Sequence, residues 1–75
     1  MPTRWKLKEF LDKHQITVYE LAKHTSGRLS RNALYKLANE APAQLRISTI
    51  DTLIPALERM TGQRVELNDL LEYER

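Results

Sequence analysis

Apolar positions recur with a helical period along most of the chain, and the first run is Leu7, Phe10, Leu11 and His14, spaced i, i+3, i+4, i+7 with Lys6, Glu9, Asp12 and Lys13 elsewhere. This pattern predicts a helix from about Arg4 to His14 with Thr3 as its cap. Trp5 lies near its start, where the indole either covers one end of the core or stacks on a ligand. Gln15-Ile16 is a short link. Thr17-Val18-Tyr19-Glu20 then has the capping-box pattern, in which the threonine hydroxyl accepts from the Glu20 amide and the glutamate reaches back to the threonine amide. A second helix follows from Val18 to His24 or Thr25, with Val18, Leu21 and Ala22 inward and Ile16 and Leu21 spaced as a hydrophobic staple.

Ser26-Gly27-Arg28 reads as a turn, with Gly27 supplying a positive φ at the helix end. Ser30 is a good N-cap for a third helix over Arg31 to Asn39. At 100° per residue, Leu34, Leu37 and Ala38 share one face of this helix, which leaves Asn32, Tyr35, Lys36 and Asn39 outward and Arg31 flanking at its N-terminal end. Pro42 ends the helix, because the residue before a proline avoids the α region. Residues 43–47 form an extended connection carrying Arg46. Ser48-Thr49-Ile50-Asp51 offers a second box, predicting a fourth helix from about Thr49 to Met60 with Gly62 as its stop; Pro55 should kink or divide it. Val65 reads as extended, and a short terminal helix is predicted from Leu67 to Glu72. The expected fold is all-α: a compact bundle of four to five short helices, one domain over residues 1–75.

Composition removes several classes of function. The 75 residues contain no cysteine, so neither a disulfide framework nor a thiolate metal site is available. His14 and His24 are ten apart and no carboxylate cluster joins them, so no metal and no cofactor is expected. Helix packing, with or without a second copy of the chain, must supply the stability of so short a protein. The charged, amphipathic N-terminus lacks the apolar region of a secretory signal, and no stretch is long enough to span a membrane, which places the chain in the cytoplasm. There is no glycine-rich phosphate loop and no Ser-His-carboxylate or Cys grouping, so the chain does not read as an enzyme.

Charge changes the picture more. Residues 1–50 hold nine Lys/Arg against four acids, a net +5, whereas residues 51–75 hold three against six, a net −3. Between Leu21 and Asn39 there is no acid, while Lys23, Arg28, Arg31 and Lys36 all fall there. A basic half of this kind suits a polyanion. The major groove of DNA admits one α-helix, asparagine pairs bidentately with adenine and arginine with guanine. Two capped helices around a turn, the second with a polar outer face, fit that task. Arg31, Asn32 and Tyr35 are the candidate base contacts, and Thr17, Arg28, Ser30 and Lys36 the candidate contacts to the DNA backbone.

The run ITVYELAKHTSGRLSRNALYKLAN resembles the Cro/Xre-type helix-turn-helix of phage repressors and small bacterial regulators. The shared marks are Glu20-Leu21-Ala22, Gly27 in the turn, Leu29-Ser30 opening the next helix, and Leu34 and Leu37. DTLIPALERMTGQRVELNDLLEYE is similar to that family's closing part, so the resemblance covers about residues 4–73. It implies a homodimer on a near-palindromic duplex, acting as a repressor or as the antitoxin of a toxin–antitoxin pair. One departure stands out: Ala22 to Gly27 is five positions and Gly27 to Ser30 three, a turn two residues longer than the family's pattern. That pushes Arg28 outward. A competing reading is a protein-interaction module, an antitoxin-like or adaptor domain that grips a toxin or other protein through Glu66, Asp69, Glu72 and Glu74 beside Leu70 and Leu71.

Overall fold

The computed structural model describes residues 2–74; Met1 and Arg75, the ends of the expected domain, lie outside the described residues. In chain order the elements are β1 (Thr3–Trp5), α1 (Leu7–Lys13), α2 (Val18–Lys23), α3 (Arg31–Asn39), α4 (Ile47–Thr61), a 3₁₀ turn (Leu67–Asp69) and β2 (Leu71–Tyr73). The helices enclose one core. Leu7 and Leu11 come from α1, Val18 and Leu21 from α2, Leu34 and Ala38 from α3, and Leu53, Ala56 and Leu57 from α4; Val65 and Leu70 close it from the C-terminal segment. The helical stripes read from the sequence supply most of these positions, and the fold is mostly helical as expected.

The two ends of the chain depart from expectation. Residues 3–5 and 71–73 are not helical but pair as a two-stranded antiparallel ribbon, Thr3 opposite Tyr73, Arg4 opposite Glu72 and Trp5 opposite Leu71. Thr3 therefore caps nothing; α1 begins at Leu7, with Lys6 at its N-cap and no side-chain cap. The predicted terminal helix from Leu67 to Glu72 is reduced to one 3₁₀ turn before the strand. The cause is non-local pairing. Thr, Trp and Tyr suit a pleated surface, and the Lys6 amide extends the pairing by donating to the Leu70 carbonyl at 2.7 Å. A ribbon this small is not stable alone. It is anchored by Leu70, which is fully buried, and by the Trp5 indole N–H, which donates to the Leu37 carbonyl at 2.6 Å. Leu37 is in the last turn of α3, where carbonyls lack helical partners, so Trp5 both covers the core and ties off α3.

Helix α4 also differs in detail. It starts at Ile47, before the Ser48–Asp51 motif, with Arg46 at its N-cap and no side-chain cap. The box pattern at Ser48 is thus inside the helix; the Ser48 carbonyl instead accepts from the Thr52 hydroxyl at 3.0 Å. Pro55 does not divide α4, which continues to Thr61 and stops at Gly62 in the left-handed region, φ 68°. Pro55 and Asp51, whose carbonyl loses its helical partner to the proline, are both on the exposed side, where a helix tolerates a missing bond. Among the described residues no helix is long and apolar enough to cross a membrane.

Candidate nucleic-acid interface

The stretch from Thr17 to Asn39 forms two helices, each started by its own side chain. At α2 the Thr17 hydroxyl oxygen accepts from the Glu20 amide at 3.1 Å, and Glu20 Oε1 accepts from the Thr17 amide at 3.2 Å, so the reciprocal box is complete. At α3 the Ser30 hydroxyl oxygen accepts from the Ala33 amide at 3.1 Å. Residues 24–30 between them turn through two successive left-handed positions, Ser26 at φ 56° and Gly27 at φ 75°. Glycine adopts this region freely and serine at some cost. Thr25, almost fully buried, holds the turn from inside; its hydroxyl donates to the Ala22 carbonyl at 2.9 Å. The Arg59 guanidinium braces the outside by donating to the His24 carbonyl.

All seven residues singled out from the sequence, Thr17, Arg28, Ser30, Arg31, Asn32, Tyr35 and Lys36, are exposed. Leu34 and Ala38 are buried on the opposite side of α3. The structure distributes the seven unevenly. Lys36 shares a groove of about 500 Å³ with Arg46, bounded by the residue 40–46 connection. Arg28 lines two shallow clefts against Asp51 and Thr52 of α4. Arg31 lies over the ring of Tyr19 on α2, 5.5 Å from the guanidinium carbon to the ring centroid. The two capping hydroxyls also differ. Thr17 gives its hydrogen to Glu20 Oε1 at 3.0 Å, whereas the Ser30 hydroxyl accepts without donating to any described residue, leaving its hydrogen for an external acceptor.

Electrostatics sharpen the outline. Among the described residues, ion pairs join Arg4 to Glu9 and Glu74, Lys6 to Glu72, and Arg64 to Glu66. None reaches Lys23, Arg28, Arg31, Lys36 or Arg46. The cations of the helix pair and the following connection are thus uncompensated, and those near the ribbon are matched. Such a surface attracts phosphate, and its amide and guanidinium donors suit base edges. The inward stripe of α2 does not single out Tyr19 in this surface; its i, i+4 spacing from Lys23 is the signal in the sequence that points to it.

Glu20 is the one acid on these two helices. Bonds from the Thr17 amide and then the Thr17 hydroxyl hold its carboxyl below the ordinary glutamate value, with smaller help from the charges of Lys23 and His24. A carboxylate with a lowered pKa stabilises the fold above its unfolded-state pKa, and that contribution is lost as pH falls through the lower, folded-state value. The first turn of α2 should therefore fray on acidification. The exchange protection of the Thr17 amide, which donates to that carboxylate, should fall as Glu20 titrates, and Glu20→Gln should keep the turn with little pH dependence. A Glu20 carboxyl that titrates at or above the ordinary value in a side-chain NMR titration would show that the box confers no such sensitivity.

Two capped helices joined by the residue 24–30 turn, with the second presenting an acid-free polar side, make this a helix-turn-helix DNA-binding protein. Its narrower place follows from sequence: the family model described as the Cro/C1-type HTH DNA-binding domain matches residues 6–75, and the chain belongs to that family. It is a DNA-binding regulator, and its partner is double-stranded DNA. No curated protein and no solved structure matches the chain.

Proposed function

We propose that the protein is a sequence-specific transcriptional repressor, acting in the cytoplasm as a homodimer, that inserts α3 into the major groove of a near-palindromic site. Residues 1–75 act as one DNA-binding unit and regulate by occupancy, not by catalysis. The observation that carries this reading is the outer side of α3 and its approach, exposed, free of acids and with its cations unpaired. Arg31, Asn32 and Tyr35 meet base edges; Arg28, Ser30 and Lys36 meet phosphates. Thr17 meets a phosphate once its hydroxyl hydrogen turns away from Glu20. Helix-turn-helix proteins place the early residues of the second helix at base edges in this way.

The acidic C-terminal segment that suggested a toxin or other protein partner is occupied within the fold. Glu72 pairs with Lys6, Glu74 with Arg4 and Glu66 with Arg64, Asp69 accepts from the Glu66 amide at 2.9 Å, and Leu70 is buried. DNA is the partner these features favour.

A gel shift over duplexes at two salt concentrations tests the reading. Affinity should fall by roughly 0.9 log units per log unit of salt for each phosphate neutralised. Lys36→Ala should weaken all duplexes alike and reduce that slope by about one. Absence of binding to any duplex at low salt would sink the proposal.

A further inference from the structure

Tyr19 is an exposed aromatic, 50% accessible, with no part in the core and none in the base and phosphate contacts proposed above. Two cations nonetheless lie on it. Lys23 Nζ is 4.5 Å from the ring centroid, one helical turn along α2. The Arg31 guanidinium carbon is 5.5 Å away and comes from the first position of α3. Both distances are within the reach of a cation–π contact, about 6 Å. The Lys23 contact is local and any i, i+4 pair could make it. The Arg31 contact crosses the turn, so the ring couples the orientation of the α3 tip to α2. Arg31 has no carboxylate partner among the described residues, which leaves Tyr19 as the group that restrains it.

We propose that Tyr19 is a positioning and specificity-determining residue for DNA recognition. Its ring restrains the Arg31 side chain at the N-terminal end of α3, so the guanidinium meets its base with less freedom left to lose. The proposal rests on the reading of Arg31 as a base contact. The hydroxyl has no part in it; the ring face does the holding.

Two measurements on the full chain test this. In the free protein, the Arg31 δ-methylene protons should show an upfield ring-current shift that Tyr19→Leu abolishes and Tyr19→Phe preserves. On duplexes enriched from a random pool, Tyr19→Leu should weaken the preferred site about two- to five-fold, the size expected of an exposed cation–π contact. It should relax preference at the same base pair as Arg31→Ala, and add nothing in the Arg31→Ala background, while Tyr19→Phe binds as the parent. Unshifted Arg31 protons in the parent would overturn the stacking. Equal weakening of all duplexes by Tyr19→Leu, or a Tyr19→Phe loss as large, would assign the side chain to a phosphate and overturn the positioning role. A parent chain that binds no duplex would overturn the function proposed above and this role with it; the ring-current measurement, which needs no DNA, separates that failure from failure of the contact itself.

Discussion

Leu34→Ala should destabilise the protein by about 2–5 kcal/mol, the range found when a fully buried leucine is cut to alanine and the surroundings only partly collapse. Leu34 is 0% exposed and belongs to the cluster that includes Leu21 of α2 and Leu53 and Leu57 of α4. It is where α3 meets the rest of the fold. A chain of this size has a total stability of roughly 4–11 kcal/mol, so the substitution removes a large share and DNA binding should fail with the fold. Urea unfolding followed by circular dichroism measures the change directly. A loss below about 1 kcal/mol, outside the range for a buried leucine, would mean that α3 is not seated on this residue as described.

Asn32→Ala should separate recognition from folding on the same helix. Asn32 is exposed on α3 and its side chain makes no hydrogen bond to a described residue, so its removal should leave the urea midpoint within experimental scatter. A bidentate asparagine–adenine pair contributes about 1–3 kcal/mol of discrimination, which predicts a loss of about five- to 150-fold at one base pair of the preferred site. Competition binding with duplexes substituted one position at a time reads that loss. Uniform weakening across all duplexes would move Asn32 to the backbone contacts.

The helix pair was legible because its determinants are local. Thr17 and Glu20 are three apart, Ser30 caps from three positions before Ala33, and the apolar stripes repeat within a turn or two, so short-range chemistry specifies both ends of both helices. The exposed side of α3 followed from where Leu34 and Ala38 had to go. The ends of the chain were not legible for the opposite reason. A strand of three residues is too short to show alternation, and what makes Thr3-Arg4-Trp5 a strand is Leu71-Glu72-Tyr73 at the far end. The Leu70-Leu71 pair looked helical, yet Leu70 turns inward at the end of a 3₁₀ turn and Leu71 belongs to the ribbon. Ser48–Asp51 misled in another way: a box pattern specifies a start only if the chain before it is not already helical, and Ile47 is. Contacts between side chains of different helices, such as Tyr19 with Arg31, lie beyond any periodicity.

The ribbon has a kinetic meaning as well as a structural one. Pairing Thr3 with Tyr73 closes nearly the whole chain into a loop, and the entropy of closure grows with the length enclosed. The contacts that seat α3 on α2 enclose only the turn. Local contacts tend to form early and long closures late, so the two helices around the turn should assemble before the ends meet. A contact made after the rate-limiting step hardly speeds folding and mainly slows escape from the folded state. The ribbon should in this sense act as a latch: with Trp5 bonded to the Leu37 carbonyl, removing it should shorten the time α3, once formed, remains in place.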